Sequence, residues 1–388
     1  MFCTPTAAPW TWAIPSRRAP SRLLPQCIAH RGYRAAFPEN SMDAFEGAVQ
    51  VGAHALETDV RLSADGVAVL SHVSAALPLA STTDASLQRC FGIDKAVGDC
   101  DWEYLSTLQT LRAPRQGLPR LCDLLRWLAA PSRVAKTGED GEDGEDRRRH
   151  VWVLLDIKAC QTLDDDPRAL MDAIATALSQ VRPGAIPWEE RIMLGCWNAA
   201  SIQSAAQCLP GLRRAHIGFS LSYARHFLAV PDLAFNMAQH TLLAPYRGRR
   251  FMRDLLAARR ALFVWTVNSE RGMEWCLRQN AAPHRRPGAA MMKPGSSCGT
   301  GQEECSDDSK KDGLLVDGVI TDDPKLFLDV CERYEDQLDG KAKPRPITAG
   351  ETVGLVLHIL LRHLLGKLVF AYRRFWLQKL DYLPEGDG

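Results

Sequence analysis

In the run Glu57-Thr58-Asp59 two carboxylates stand two residues apart, and Asp156-Ile157-Lys158 repeats the spacing with a carboxylate and an ammonium. Side chains alternate along a strand with period two, so each pair shares one face. Three carboxylates brought together make a hard, oxygen-rich site suited to Mg2+ or Ca2+. His30 and His72 end two further apolar runs, where they can serve as general acid and general base. Arg31 and Lys158 add positive charge able to hold an anion such as phosphate. Any one of these residues alone is ordinary as a strand-end cap or loop tether. Their recurrence at successive strand ends is much harder to explain that way.

The elements that must position these groups are short apolar runs. They recur at Cys27–His30, Ala55–Val60, Val67–His72, Val151–Ile157, Ile192–Cys196, Ala215–Phe219, Thr241–Ala244, Leu262–Val267 and Leu314–Ile320. Between them lie stretches with 3.6-residue periodicity, among them Ser41–Val51, Leu121–Leu128, Pro167–Leu178 and Arg249–Ala258. Ser41 reads as an N-cap, with acidic Asp43 in the first turn. Strands alternating with helices predict a parallel α/β architecture. A TIM (β/α)8 barrel takes about 250 residues, and residues 27–335 supply that with room for insertions. Nine runs for eight strands means that one is misread or lies outside the barrel. In a barrel the C-terminal strand ends converge on one face, which gathers the chemistry there.

The chain has 388 residues, 46% apolar and 24% charged, which marks a globular protein. A net charge of +1 removes the broad basic footprint of a nucleic-acid-binding domain, so no nucleic-acid partner is expected. Twelve cysteines without a CxxC pair argue against a disulfide scaffold or zinc finger and for an intracellular setting. Residues 1–26 carry five prolines and no acid and read as a disordered tail, with a mitochondrial transit segment as the other reading. Residues 136–150 and 280–312 are polar and charged and read as solvated insertions. The second contains Gly295-Ser296-Ser297-Cys298-Gly299, a formal nucleophile-elbow match that lacks the flanking strand and helix. From Thr352 to Leu380 there is no acid, and Arg362, Lys367, Arg373, Arg374 and Lys379 interrupt an apolar background. This is the pattern of a basic amphipathic helix on a membrane surface rather than of a spanning one; a helix packed on the domain or a partner is the alternative.

The combined motifs resemble one family. Ile28-Ala29-His30-Arg31-Gly32, Pro38-Glu39-Asn40-Ser41 and Glu57-Thr58-Asp59-Val60 are similar to the AHRG, PENT and E-x-D-V pattern of the glycerophosphodiester phosphodiesterases. The likeness continues through Asp65-Gly66, Asp156-Ile157-Lys158, Trp265-Thr266-Val267-Asn268 and Asp317-Gly318-Val319-Ile320-Thr321-Asp322. Within the family the sequence most resembles the fungal phosphatidylglycerol phospholipase C branch, which also carries a short hydrophobic C-terminal tail.

The resemblance implies a TIM barrel with a divalent cation, Mg2+ or Ca2+, on Glu57, Asp59 and Asp156. It makes His30 and His72 the acid/base pair and sets Arg31 and Lys158 on the phosphate. Glu39 becomes a nearby or metal-side carboxylate, Asn40 a loop support, and Asp84 and Trp265 supporting residues. Two departures stand out. Asp156 occupies a position where the family has Glu, one methylene longer. The family's H-D pair is split, because His72 is followed by Val73 while Asp84-Ala85-Ser86-Leu87-Gln88-Arg89 supplies the D-x-x-L-x-R; residues 73–83 therefore read as an insertion. The implied function is metal-dependent cleavage of phosphatidylglycerol to diacylglycerol and glycerol phosphate on an intracellular phospholipid membrane surface. Hydrolysis of soluble deacylated glycerophosphodiesters, and a non-catalytic phospholipid-binding scaffold, are the alternatives.

Overall fold

A computed structural model describes residues 9–72, 86–130, 147–158, 167–244, 246–281 and 315–343, together with Leu361 and Leu364. The eight barrel strands are β1 (Gln26–His30), β2 (Ala55–Leu62), β3 (Trp152–Ile157), β4 (Ile192–Cys196), β5 (Arg213–Gly218), β6 (Leu233–Ala238), β7 (Leu262–Trp265) and β8 (Gly318–Thr321). Each is hydrogen-bonded in parallel to its sequence neighbour, and β8 closes on β1 with Thr321 opposite Ala29. The sheet is thus a closed TIM barrel, as the alternating pattern predicted.

Period two sorts the side chains. Ile28, Ala55, Leu154, Met193, Ala215, Ala234, Phe263 and Ile320 form one buried cluster that fills the barrel. Large Trp152 and Phe263 meet there with ring centroids 5.5 Å apart, beside three small alanines, so the interior is packed rather than hollow. Alternate residues such as Leu56, Val153, Leu155, Leu194 and Phe235 face the surrounding helices in a second, larger cluster. Ser41 caps the helix Met42–Gln50 by accepting from the Ala44 N–H, which sets where that helix leaves the β1 loop.

Two of the nine expected strands resolve differently. Ala68–Leu70 is a strand, but it runs antiparallel to the end of β2 and lies outside the barrel. Thr241–Ala244 is no strand. It lies in and just after the helical turn Gln239–Leu242, and the true strand, Leu233–Ala238, lies just before it. A four-residue apolar run buries equally well as a turn of helix, so periodicity cannot separate the two.

The disordered-tail expectation for residues 1–26 is corrected where the chain is described. Residues 9–25 pack against the bottom of the barrel, with Trp10 and Trp12 against the interior cluster and Trp10 5.3 Å from Trp152. The Gln26 amide donates to the carbonyls of Trp10 and Trp12, and its oxygen accepts from the Trp152 indole. Buried Asp317 accepts from the Ala13 N–H at 3.0 Å. Arg18 and Arg22 reach Asp336 and Asp339, each at 2.6 Å, on the last described helix, Pro324–Leu338. Proline-rich sequence without helical periodicity here forms a strap, a short antiparallel pairing of Ile14–Pro15 with Leu23–Leu24 held onto the barrel by tertiary contacts. Residues 73–83, Asp84, most of 136–150 and 280–312, and nearly all of 352–380 lie outside the described residues. Among the described residues no helix is long and apolar enough to cross a membrane.

Two histidines, buried His216 and half-buried His54, make the fold acid-sensitive. His216 is fully buried with its ring 4.6 Å from Phe227, and burial lowers it to about 3. His54 accepts from the Cys27 N–H at 2.9 Å and is lowered, again chiefly by burial, to about 4. The unfolded chain takes up these protons below about 6.5 while the folded one does not. The stability that neutral His216 contributes is therefore complete above that pH. It falls by about 1.4 kcal/mol per pH unit on acidification toward its folded value. Urea unfolding across pH 4–7 is expected to show a shallower acid limb for His216→Phe than for wild type; identical limbs would refute this.

Candidate active site

Glu57 and Asp59 sit on β2, with Asp156 directly beside Asp59 on β3. All three are buried, and their oxygens lie within 4.8 Å of one another. His30 ends β1 beside Glu57, with Nε2 3.9 Å from its carboxylate. The strand ends thus gather four of the expected groups at one rim.

The β1 loop that follows is shaped by its backbone. Arg31 has φ +57° and Gly32 φ +77°, and a Cβ at Gly32 would lie 2.6 Å from the Ala44 carbonyl carbon. Only glycine fits that close approach. The turn aims the Arg31 N–H at Glu57, donating to its backbone carbonyl at 2.8 Å and its side chain at 3.0 Å. Asn40, also at positive φ, accepts from the Thr58 hydroxyl and donates to Asp59 at 3.1 Å. Asn40 thereby fixes one oxygen of Asp59.

Charge in the site is unevenly met. Burial raises Asp59, but Arg31 at 3.1 Å and Lys158 at 3.2 Å outweigh it and hold that carboxyl below its usual range. Glu57 is pushed well above the usual range by burial and then by Asp59 and Asp156. Asp156 is also raised, by burial first and by Asp59, against the pull of Lys158. The trio therefore has more negative charge than its own cations neutralise. A hard divalent ion with oxygen ligands about 2.0–2.6 Å away fits both the spacing and this deficit. Glu57, Asp59 and Asp156 are the residues to hold it.

Arg31 and Lys158 do not face an open anion seat. Arg31 lies between Asp59 and Glu39, and the Lys158 ammonium sits 2.5 Å from Asp156. Glu39 is gripped by Arg31, Arg34 and Arg89; burial raises it, but the Arg89 hydrogen bond and the other arginines bring it down to about 2. It is an arginine clamp rather than a metal ligand. His72 follows the antiparallel strand, and its buried Nδ1 has no partner among the described residues. Burial lowers His72 to about 3, partly opposed by Asp59. Trp265 donates to the Asn236 carbonyl and stacks edge-on to Trp197 at 5.7 Å.

Several contributors escaped the sequence reading. Asp322, just past β8, accepts from His30 Nδ1 at 2.6 Å and also holds Arg34 at 2.9 Å and Asn268 at 2.8 Å. Asn268 ends Trp265-Thr266-Val267-Asn268 and Asp322 ends Asp317-Gly318-Val319-Ile320-Thr321-Asp322, yet nothing in the sequence pairs positions 30 and 322. Trp197 follows β4 and donates its indole N–H to Asp156 at 2.6 Å, while its ring lies 4.9 Å from the Lys158 ammonium. The indole therefore holds one oxygen of Asp156 while the Lys158 ammonium holds the other, so the carboxylate is fixed from both sides. Trp197→Phe is expected to weaken Mg2+ or Ca2+ binding by about ten- to a hundredfold, as loss of a ligand's orienting partner does. Calorimetric titration returning the wild-type affinity would contradict this.

A TIM barrel with an oxygen-ligand trio and two histidines at its C-terminal rim is the class that fold and site define: a barrel equipped for metal-assisted acid–base chemistry. Comparison with known proteins narrows the class. The chain belongs to the glycerophosphoryl diester phosphodiesterase family, whose profile matches residues 30–326. It is 37% identical over 99 residues to a probable glycerophosphodiester phosphodiesterase 2 of Mycobacterium tuberculosis, covering 25% of this chain and 33% of that protein. It is 40% identical over 81 residues to glycerophosphodiester phosphodiesterase 1 of Bos taurus, covering 20% and 24%. The matched stretches span from 19% to 40% of the first few curated relatives. Among solved structures, an Oleispira antarctica phosphodiesterase in complex with the product sn-glycerol-3-phosphate superposes with a TM-score of 0.53 at 19% identity, covering 79% of this chain and 97% of that one. A Silicibacter pomeroyi protein gives 0.54 at 17% identity, covering 81% and 96%. At those identities the superpositions speak for the fold.

Proposed function

We propose that the protein is a metal-dependent phosphodiester hydrolase acting on glycerol phosphodiesters, and that its lipid substrate is phosphatidylglycerol. The single observation that carries the hydrolase reading is the buried trio Glu57, Asp59 and Asp156 beside His30. The finer substrate rests on chemistry and on the basic, apolar segment Thr352–Leu380, which resembles the tail of the fungal phospholipase C branch.

The environments of the two histidines suggest their roles. Burial and then Arg31 lower His30, but Asp322 on Nδ1 opposes them and fixes the ring; among the described residues no carboxylate is hydrogen-bonded to His72, which burial lowers further and keeps neutral. His72 accordingly takes the proton of the headgroup hydroxyl adjacent to the phosphoester. That oxygen forms a bond to phosphorus, the bond from phosphorus to the diacylglycerol oxygen breaks, and His30 gives the departing alkoxide its proton. Proximity replaces a bimolecular attack by an intramolecular one. The resulting cyclic phosphate opens when His30 takes a proton from water and His72 returns its own, releasing glycerol phosphate. A divalent ion held by Glu57, Asp59 and Asp156 would neutralise charge developing on the phosphoryl oxygens. Asn40, Arg31 and Trp197 keep the carboxylates in place meanwhile. Phosphatidylcholine has no such hydroxyl, so the mechanism itself selects the headgroup.

The test is a substrate panel with purified full-length protein: phosphatidylglycerol vesicles, phosphatidylcholine vesicles and soluble glycerophosphodiesters. Release of diacylglycerol from phosphatidylglycerol alone supports the lipid reading. Turnover of soluble diesters only, unaffected by deleting residues 352–388, replaces it with the reading that the relatives' names suggest. Vesicle binding without any hydrolysis would leave a lipid-binding scaffold.

A further inference from the structure

The helix Arg247–Ala257 follows β6, so its first turn lies on the mouth side of the barrel. Its inner face is fixed by Phe251, Met252 and Leu255, and Gly248 packs so tightly on the preceding helical turn that a Cβ would lie 1.9 Å from the Leu242 carbonyl oxygen. Its outer face presents Arg247, Arg249, Arg250 and Arg253, all exposed, beside Tyr246, which is 70% exposed. No acid among the described residues answers them. Asp254 is held by Arg225 at 2.5 Å, Asp232 faces Arg213 at 4.0 Å, and on the neighbouring helix Glu270 and Glu274 are paired with Arg333 and Arg278. Positions 246, 249, 250 and 253 fall on one stripe at helical spacing. None of these groups takes part in the site.

We infer that this stripe, Tyr246 with Arg249, Arg250 and Arg253 and with exposed Arg247 beside it, docks the barrel on an anionic phospholipid surface. Clustered cations beside an aromatic ring suit the headgroup region, where each arginine near the surface adds to binding and the ring settles at the interface. The helix is anchored by its buried inner face while its cations stay exposed, so no backbone ordering is needed on contact. Nucleic acid is the less fitting partner, because a lone helical stripe offers neither a groove nor a row of stacking rings. The surface is separate from the segment Thr352–Leu380, and its purpose rests on the lipid-substrate reading above: it would bring the mouth to its substrate.

The experiment is vesicle flotation of the full-length protein with phosphatidylcholine alone or mixed with phosphatidylglycerol, with and without added salt. The triple variant Arg249→Gln/Arg250→Gln/Arg253→Gln is expected to lose roughly fivefold in partition per arginine, about a hundredfold together. Its turnover of a soluble glycerophosphodiester and its melting temperature are expected to match wild type. A tail variant, Arg373→Gln/Arg374→Gln, serves as the comparison for the C-terminal segment. Wild-type partition by the triple variant, with all loss confined to the tail variant, overturns the inference. So does a triple variant that loses binding to a single-stranded RNA but none to vesicles. Salt-sensitive, arginine-dependent binding without phosphatidylglycerol hydrolysis would uphold this surface while removing the proposed substrate.

Discussion

His30→Ala lowers turnover by about a thousand- to ten-thousandfold while leaving the barrel folded, the scale expected when a positioned acid–base group is removed. The argument lies in what His30 touches. Its Nδ1 is tied to Asp322 at 2.6 Å, which leaves Nε2 as the atom facing Glu57 and the site. Asp322→Asn should therefore reproduce a large part of the loss without removing the imidazole, because an amide can present its N–H to Nδ1 and invert the tautomer. The two lesions are expected to be far from additive, since they disable one unit. Steady-state rates for both single variants and the double variant test this; a double variant as slow as the product of the two single effects would separate the residues.

Metal removal should be equally severe. Chelation with EDTA is expected to abolish turnover, and Glu57→Gln to lower it by three or more orders of magnitude, the range associated with losing preorganised charge stabilisation together with ion binding. The informative readout is stability. In the ion-free protein Glu57 is crowded by Asp59 and Asp156 and driven upward by burial. An amide of the same shape relieves that repulsion, so ion-free Glu57→Gln should melt no lower than wild type. Added Mg2+ or Ca2+ should raise the wild-type melting temperature, by about 2.7 kcal/mol of stability at a hundred times the dissociation constant, and leave the variant unmoved. Turnover that persists in EDTA would remove the metal from the mechanism. An ion-dependent rise that survives in Glu57→Gln would remove Glu57 from the ligand set.

Much of the barrel is written locally, in short apolar runs alternating with helical periodicity. That Glu57 and Asp59 share a face of their strand, that Asp156 and Lys158 share one on theirs, and that His30 ends a strand all follow from local residue order, because strand geometry has period two whatever the fold. Ser41 as N-cap was legible for the same local reason, and the cap is present. The misplaced strand at Thr241–Ala244 shows where that logic stops: short buried segments look alike whether helical or extended.

What the residue order determined about this protein is the set of strand-end groups, the alternation that predicts a barrel, and the motifs of its family. The tertiary structure alone decided their partners. Barrel closure brings Asp322 to His30 across 292 positions, Trp197 to Asp156 across 41, and the proline-rich residues 9–25 under the barrel floor. It also turned Arg31 and Lys158 toward carboxylates and gave Glu39 to three arginines. The reason is physical. Pattern along a strand is set by bonded geometry within a few residues, whereas ion pairs between strand ends exist only once the sheet closes and excludes water around them.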